Sequence, residues 1–241
     1  MDKLILLRRS QTILNSIIFV ILSSFFLYTI HAKSLDIPFY SIKGLTIIYG
    51  LGGLTILFML ATVYWMIFLR RNSSKLILAY LSSTWLYCFY VLYQANLDKT
   101  LLLFVFLYIL LSFYFYLLWD DEISLACYNP NFSFYDIDQS VLLSINLSIV
   151  PLKGKSVVVK LRNWDERSVF VETDKKISGP VSIELKFEER IFKAKGIVIT
   201  QYDGYHGVGI RLLNKATNQF SWPMLFDILH SRGFLPSWVK N

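Results

Sequence analysis

The chain has very few of the residues that build disulfide frameworks and metal sites. Only two cysteines occur in 241 residues, Cys88 and Cys127, and they form no CxxC spacing. We therefore expect two buried thiols and neither a disulfide framework nor a zinc site. The three histidines, His31, His206 and His230, stand alone in the sequence, and we predict no metal site.

Familiar catalytic motifs are also missing. There is no GxSxG, HExxH or Walker-type glycine loop, and no Cys/His pair suited to nucleophilic catalysis, so we predict that the chain is not an enzyme. Asp136 and Asp138 have the spacing by which sugar-nucleotide enzymes hold a divalent cation. Because Asn129, Pro130 and Asn131 lie nearby, we interpret the pair as part of a turn. An accessory subunit of a glycan synthase is the alternative that this pair leaves open.

Four long apolar segments lack Asp, Glu, Lys, Arg and His altogether. They cover residues 12–30, 44–69, 76–93 and 100–119. Each is about the length that a helix needs to cross a hydrocarbon core of about 30 Å. With a mean hydropathy of +0.49, the chain is predicted to contain a four-helix transmembrane bundle whose first span is uncleaved. Ion paths and proton relays need ionisable groups at depth, so a transporter or channel is disfavoured.

Charge is distributed unevenly along the chain. Residues 1–119 contain nine Lys or Arg against three Asp or Glu, whereas residues 120–241 contain fifteen against fourteen. The soluble half is therefore not a basic nucleic-acid-binding tail, and no nucleic acid is expected as a partner. On one side of the predicted spans lie Lys3, Arg8, Arg9, Arg70, Arg71 and Lys75, and on the other Lys33, Lys43 and Lys99. The positive-inside rule then puts both termini in the cytoplasm.

After the acidic residues 120–122 the sequence changes to the pattern of short strands. Apolar and polar residues alternate over 180–187, as in a half-buried strand. Glu188, Glu189 and Arg190 are typical of a charged hairpin turn, and further strands are indicated near 157–161, 169–171, 192–198 and 207–212. Leu225, Ile228 and Leu229 have helical spacing behind Ser221 as a possible N-cap.

These patterns predict an α-helical membrane region followed by a small all-β barrel of about six antiparallel strands with a C-terminal helix. The expected boundaries are 1–119 for the transmembrane region, 120–137 for an acidic and polar linker, and 138–241 for the cytoplasmic barrel and its helix.

Two strings carry a resemblance to a known family. LRNWDERSVFVET, residues 161–173, stands where that family has a (D/N)xSxxG strand entry, and KGIVITQYDGYHGVGIRLL, residues 195–213, looks like its late hairpin. Together with the order of elements over 138–230, they resemble the PilZ domain, a bacterial receptor module for cyclic di-GMP. A PilZ domain also follows the membrane helices of bacterial cellulose synthase catalytic subunits. The resemblance implies a bacterial inner-membrane protein.

The ligand motifs of the family are incomplete in this chain. The resemblance implies a degenerate cyclic di-GMP site at Arg162, Asn163, Asp165, Arg167 and Ser168, in which Asp165 replaces the family's Ser and Ser168 its Gly. The family's RxxxR signature has no counterpart, because residues 123–152 contain no Lys or Arg. Arg is suited to that role since its planar fork binds phosphates and stacks on bases. We therefore expect no cofactor and disfavour cyclic di-GMP.

The expected function is a structural or regulatory subunit of a bacterial envelope machine for motility, pili or polysaccharide secretion. Its predicted partners are the lipid bilayer, other proteins of the envelope complex or a second copy of the chain. An apolar C-terminal tail with Phe234, Trp238 and Val239 is a candidate docking segment. A membrane-anchored cyclic di-GMP receptor remains the alternative, through weak binding at Arg162, Asn163 and Arg167.

Overall fold

The fold is described from a computed structural model. It describes residues 4–38, 52–69, 72–128, 146–151, 155–173, 175–202, 207–213 and 221–231. The chain divides into two compact units, one formed by Met1–Arg9 with Ile123–Asn241 and the other by Ser10–Glu122. The first residues of the chain therefore belong to the same unit as its C-terminal half.

The unit Ser10–Glu122 is helical. Its helices are α1 (Gln11–Ser34), α2 (Gly52–Ile67), α3 (Ser73–Gln94) and α4 (Lys99–Ser124, which runs two residues beyond the unit). Within the described residues, α1, α3 and α4 are long and apolar enough to cross a membrane. Helix α2 is apolar but has 16 residues, and the predicted span 44–69 begins outside the described part of the chain. These helices characterise a membrane protein.

The helix ends follow local chemistry. Helix α1 begins where the side chain of Ser10 accepts a hydrogen bond from the Ile13 amide at 3.2 Å, as an N-cap does. Helix α4 continues past the apolar run through Asp120, Asp121 and Glu122. Backbone hydrogen bonds do not require apolar side chains, and Ser74 Oγ donates to Asp120 Oδ1 at 2.8 Å. The acidic residues are thus the last turn of the helix.

Three pairs of polar side chains join different helices of the helical unit. The pairs are Ser23 with Tyr80 at 2.7 Å, Thr84 with Tyr108 at 3.0 Å, and Trp85 with Ser112 at 2.7 Å. Such pairs satisfy hydroxyl and indole groups that lipid cannot hydrogen-bond. Thr84 therefore contributes to packing between helices of this bundle.

The other unit is a closed antiparallel barrel of six strands. They are β2 (Asn146–Pro151), β3 (Val157–Trp164), β4 (Ser168–Glu172), β5 (Pro180–Phe187), β6 (Arg190–Tyr202) and β7 (Gly207–Leu212). The order around the barrel is β6-β5-β2-β3-β4-β7, and pairing of β7 with β6 closes it. Helix α5 (Trp222–Ser231) follows. The predicted barrel and its C-terminal helix are confirmed.

The barrel core comes from the inward positions of these strands. On β5, Val181, Ile183, Leu185 and Phe187 are buried while the residues between them are more exposed, as the alternation predicts. Trp222, Leu225 and Leu229 of α5 belong to the same core. Full burial of one such side chain contributes about 1.5–3 kcal/mol, so the helix is an integral part of the barrel unit.

A seventh strand, β1 (Leu4–Leu6), adds to the barrel from the other end of the sequence. It pairs antiparallel with β6, with Leu6 opposite Thr200 and Leu4 opposite Tyr202. β5 pairs with one edge of β6 as far as Ile197, and β1 pairs with the same edge beyond that residue. Three residues are too short for a sequence pattern to identify, and sequence analysis did not predict this strand.

Candidate functional site

The turn between β3 and β4 is built around the carboxylate of Asp165. Its Oδ1 accepts a hydrogen bond from the Arg167 amide at 2.6 Å, and its Oδ2 accepts one from Ser168 Oγ at 2.5 Å. The Asp165 amide donates to the Ser168 carbonyl at 2.9 Å and closes the turn. An Asp side chain that bonds the backbone two residues later is a recurrent turn device. Two of the predicted site residues, Asp165 and Ser168, therefore lie side by side.

These two side chains also hold the segment that follows the last long helix. Beyond α4 the chain forms a 3-10 turn, Ala126–Tyr128, which we call the linker turn. The Ala126 amide donates to Asp165 Oδ2 at 2.6 Å, and the Cys127 amide donates to Ser168 Oγ at 3.1 Å. Only Leu125 separates α4 from this attachment. The linker turn is thus fixed on the barrel by the residues that the sequence marks as a degenerate ligand motif.

The opposite side of the linker turn rests on β6 and β7. Thr200 Oγ1 donates a hydrogen bond to the Cys127 carbonyl. Gly209 lies beneath the same carbonyl, and a Cβ at that position would overlap both the Cys127 oxygen and Thr200 Oγ1. We call Asp165, Ser168, Thr200 and Gly209 the linker cradle. The cradle fits peptide backbone closely. Gly209 has no side chain to keep the linker turn away from β7, and the side chains of Asp165, Ser168 and Thr200 hydrogen-bond the backbone of that turn.

Burial shows how completely the cradle is filled. Cys127, Ser168 and Thr200 are each 0% exposed, and Ala126 is 3% exposed. The predicted burial of both cysteine thiols, Cys88 and Cys127, is confirmed, and both are free of disulfides. Hydrogen bonds in such water-excluded surroundings are costly to break, because a donor or acceptor that loses its partner there also lacks water.

Helix α5 supports the cradle from behind. The indole N–H of Trp222, which is 3% exposed, donates to the Asp165 backbone carbonyl at 3.0 Å. The C-terminal helix therefore fixes the β3–β4 turn as well as covering the core. Sequence analysis identified this helix but not the role of Trp222.

The remaining predicted site residues have other surroundings. Arg162 is the extra residue where the β3–β4 register shifts, and its guanidinium forms an ion pair with Glu172, with Nε donating to Glu172 Oε2 at 2.6 Å. Asn163 is buried, and its Oδ1 accepts from the Trp164 amide at 2.9 Å. Arg167 is exposed. The structure therefore brings together Asp165 and Ser168 but directs Arg162 to a carboxylate partner.

The chemistry of the cradle is that of holding a peptide segment. Among the described residues, no three His, Cys, Asp or Glu side chains are grouped as a metal site would require. Asp136, Asp138 and the tail residues Phe234, Trp238 and Val239 lie outside the described residues. The carboxylate of Asp165 serves three donors of its own chain, so its function in this structure is structural.

Sequence analysis missed Thr200, Gly209 and the linker turn itself. The available signal was the Gly-x-Gly of β7, Gly207 and Gly209, because two glycines on one face of a strand leave a groove. A Cβ on Gly207 would overlap the Phe170 ring, and one on Gly209 would overlap the linker turn. Their partners are distant in sequence and could not be identified from it.

No protein-family model matches this chain, and no curated protein sequence matches it significantly.

Proposed function

We propose that this chain is a four-span protein of the bacterial inner membrane that serves as a structural or regulatory subunit of an envelope machine. Its PilZ-like barrel acts as a cytoplasmic protein-interaction module. Motility, pilus and polysaccharide-secretion machines are the settings that the family resemblance implies. The protein performs no catalysis of its own, and it associates with other envelope proteins or with a second copy of itself.

The count of four spans is supported by strand pairing. The Leu7 amide donates to the Ile199 carbonyl at 2.8 Å, and β1 shares a sheet with the barrel. Hydrogen-bonded strands cannot lie on opposite sides of a bilayer, so the chain between them crosses the membrane an even number of times. If the three long apolar helices all cross the membrane, the number of crossings is even only when the shorter α2 crosses as well. Arg8 and Arg9, next to the first span, favour the cytoplasm for this side.

The observation that carries the functional proposal is the occupant of the linker cradle. In the PilZ family the (D/N)xSxxG residues are available to a nucleotide, whereas here Asp165 and Ser168 accept the Ala126 and Cys127 amides. Arg162, the nearest guanidinium before the motif, is paired with Glu172. A carboxylate at Asp165 also repels an anionic ligand. These features favour a barrel that rigidly positions an interaction surface over one that senses a nucleotide.

The proposal is tested by calorimetric titration of the full chain in detergent with cyclic di-GMP. The full chain is required because a 120–241 fragment lacks β1. We expect no binding heat from the wild type or from Gly209→Ala, in which the linker turn is displaced and any masked site is opened. Micromolar binding by the wild type would make the protein a receptor, and binding by Gly209→Ala alone would make it an autoinhibited receptor; either result overturns the proposal.

The interaction role has its own test in the cell. Val158 is 78% exposed on the outer face of β3, and a photocrosslinking amino acid at this position samples that face. We expect adducts with one defined envelope protein or with a second copy of the chain. Adducts with lipid alone, or none, would contradict a protein-interaction module on this face.

A further inference from the structure

Both chain segments that flank the membrane helices attach to the same short part of β6. Before α1, the Leu7 and Arg8 amides donate to the Ile199 carbonyl at 2.8 and 3.2 Å. After α4, the Cys127 carbonyl accepts from the side chain of Thr200. We call Leu4–Arg8 the N-terminal tether. Two neighbouring residues of one strand therefore hold the N-terminal tether and the linker turn.

A β-bulge makes this double attachment possible. The register between β6 and β7 shifts between Val198 and Thr200, so Ile199 is an extra residue in the ladder. On the opposite edge of β6, pairing with β5 ends at Ile197, and the Val198 amide donates to the Gly179 carbonyl at 3.0 Å. The Ile199 carbonyl can then accept from Leu7 and Arg8, and β1 continues along the edge that β5 leaves. Bulges bend a strand and redirect its groups in this way.

Thr200 is the residue that connects the two attachments. Its backbone lies opposite Leu6 of β1 on one edge and opposite Gly209 of the cradle on the other, while its side chain binds Cys127. Thr200 is 0% exposed, so protein atoms surround it closely and a shift of its backbone displaces its neighbours. Movement of β1 therefore changes the position of the hydroxyl that holds the linker turn, and movement of the linker turn changes the backbone that β1 pairs with.

We propose that β6 at Ile199–Tyr202 is a coupling junction, at which release of either segment weakens the attachment of the other. The N-terminal tether leads within a few residues into α1, and the linker turn follows α4 with one residue between. A force or partner that moves one of these helices is thereby transmitted to the barrel, and an event on the barrel reaches both helices. The inference concerns the chain itself and holds whether or not the proposed function is correct.

Hydrogen exchange of the full chain in detergent tests the coupling, because each segment has two amides bonded to the barrel. These are Leu7 and Arg8 in the N-terminal tether and Ala126 and Cys127 in the linker turn. Thr200→Val removes the hydroxyl but keeps the branched shape and the backbone pairing. We expect faster exchange in the linker turn and also, by about fivefold or more, at Leu7 and Arg8.

The reciprocal variant is Leu7→Pro, which removes one donor to Ile199. Linkage is symmetric for binding free energies, so Ala126 and Cys127 should exchange faster by a similar factor. Thr173→Val is the matched control, since Thr173 is buried and its hydroxyl accepts a hydrogen bond from the Lys175 amide, outside both segments, so the change should alter neither segment. Effects confined to the mutated segment would overturn the coupling. Protected amides in β2 and β3 establish that each variant has a folded barrel, and either variant alone decides the question if the other does not fold.

Discussion

The carboxylate of Asp165 shows how a residue can be identified from sequence while its partners in the fold cannot. The sequence places it in the PilZ-like motif, and its departure from the family's Ser predicts a loss of ligand chemistry. The structure gives that departure a positive role, because a carboxylate accepts from Ala126, Arg167 and Ser168 at once. A serine has no second oxygen for this. The partner, Ala126, lies 39 residues earlier and has no sequence signature.

Gly209 is the residue whose substitution tests the cradle most simply. In Gly209→Ala the new methyl group meets the Cys127 carbonyl and Thr200 Oγ1, so the linker turn must move away. We expect a loss of about 1–3 kcal/mol in the free energy of unfolding of the barrel, as for other overpacked sites. Urea denaturation of the full chain in detergent, followed by tryptophan fluorescence, measures it.

Gly179→Ala is the matched control for this prediction. Gly179 has a φ of +79° and open space around its Cβ position, so alanine there is strained without touching the linker turn. It should lower stability and leave the exchange of the Ala126 and Cys127 amides unchanged, whereas Gly209→Ala should accelerate it. Slow exchange at these amides in Gly209→Ala would mean that the cradle does not hold the linker turn.

Among the elements, those with a clear period were predicted well and those without one were not. Strand β5 has the predicted bounds, since four apolar residues alternate along it. The sequence did not predict the β2 strand, NLSIVP, which lies between its partners β3 and β5 in the barrel. The cradle combines the β3–β4 turn with residues of three strands, β4, β6 and β7, so its assembly depends on tertiary contacts that no local pattern records.

The hairpin between β5 and β6 offers a prediction at this scale. Glu188 and Glu189 both have positive φ, 45° and 63°, as the two central residues of a type I′ turn do. Arg190, expected in the turn, instead pairs with Phe187. Because glycine adopts positive φ without steric cost, Glu189→Gly should raise the free energy of unfolding of the barrel by about 0.5–1 kcal/mol.

Glu189→Ala separates backbone from charge in this experiment. It removes the same carboxylate as Glu189→Gly but keeps a Cβ, so it should give no comparable gain in the same denaturation measurement. Equal stabilisation by both variants would show that charge repulsion between the adjacent glutamates, and not backbone conformation, limits the stability of this turn.

For the whole molecule, hydropathy predicted the helical region and alternation predicted the barrel, yet neither predicted that the start of the chain pairs with a strand of the barrel. Residues 4–6 were assigned to the membrane region because a basic N-terminus precedes an apolar run. They pair instead with β6, which is nearly two hundred residues away in sequence. This pairing ties the barrel to the chain on both sides of the helices, and the proposed count of four spans rests on it.

Cysteine labelling with a membrane-impermeant maleimide tests this arrangement most directly. Single cysteines replace Leu7 in the N-terminal tether, Lys175 on the barrel and Lys99 at the start of α4, all of which are exposed. The wild type is the blank, since Cys88 and Cys127 are buried. We predict that Leu7→Cys and Lys175→Cys react only in inverted membrane vesicles and Lys99→Cys only in intact spheroplasts. Labelling of Leu7→Cys and Lys175→Cys from opposite sides would contradict both the four spans and the shared sheet.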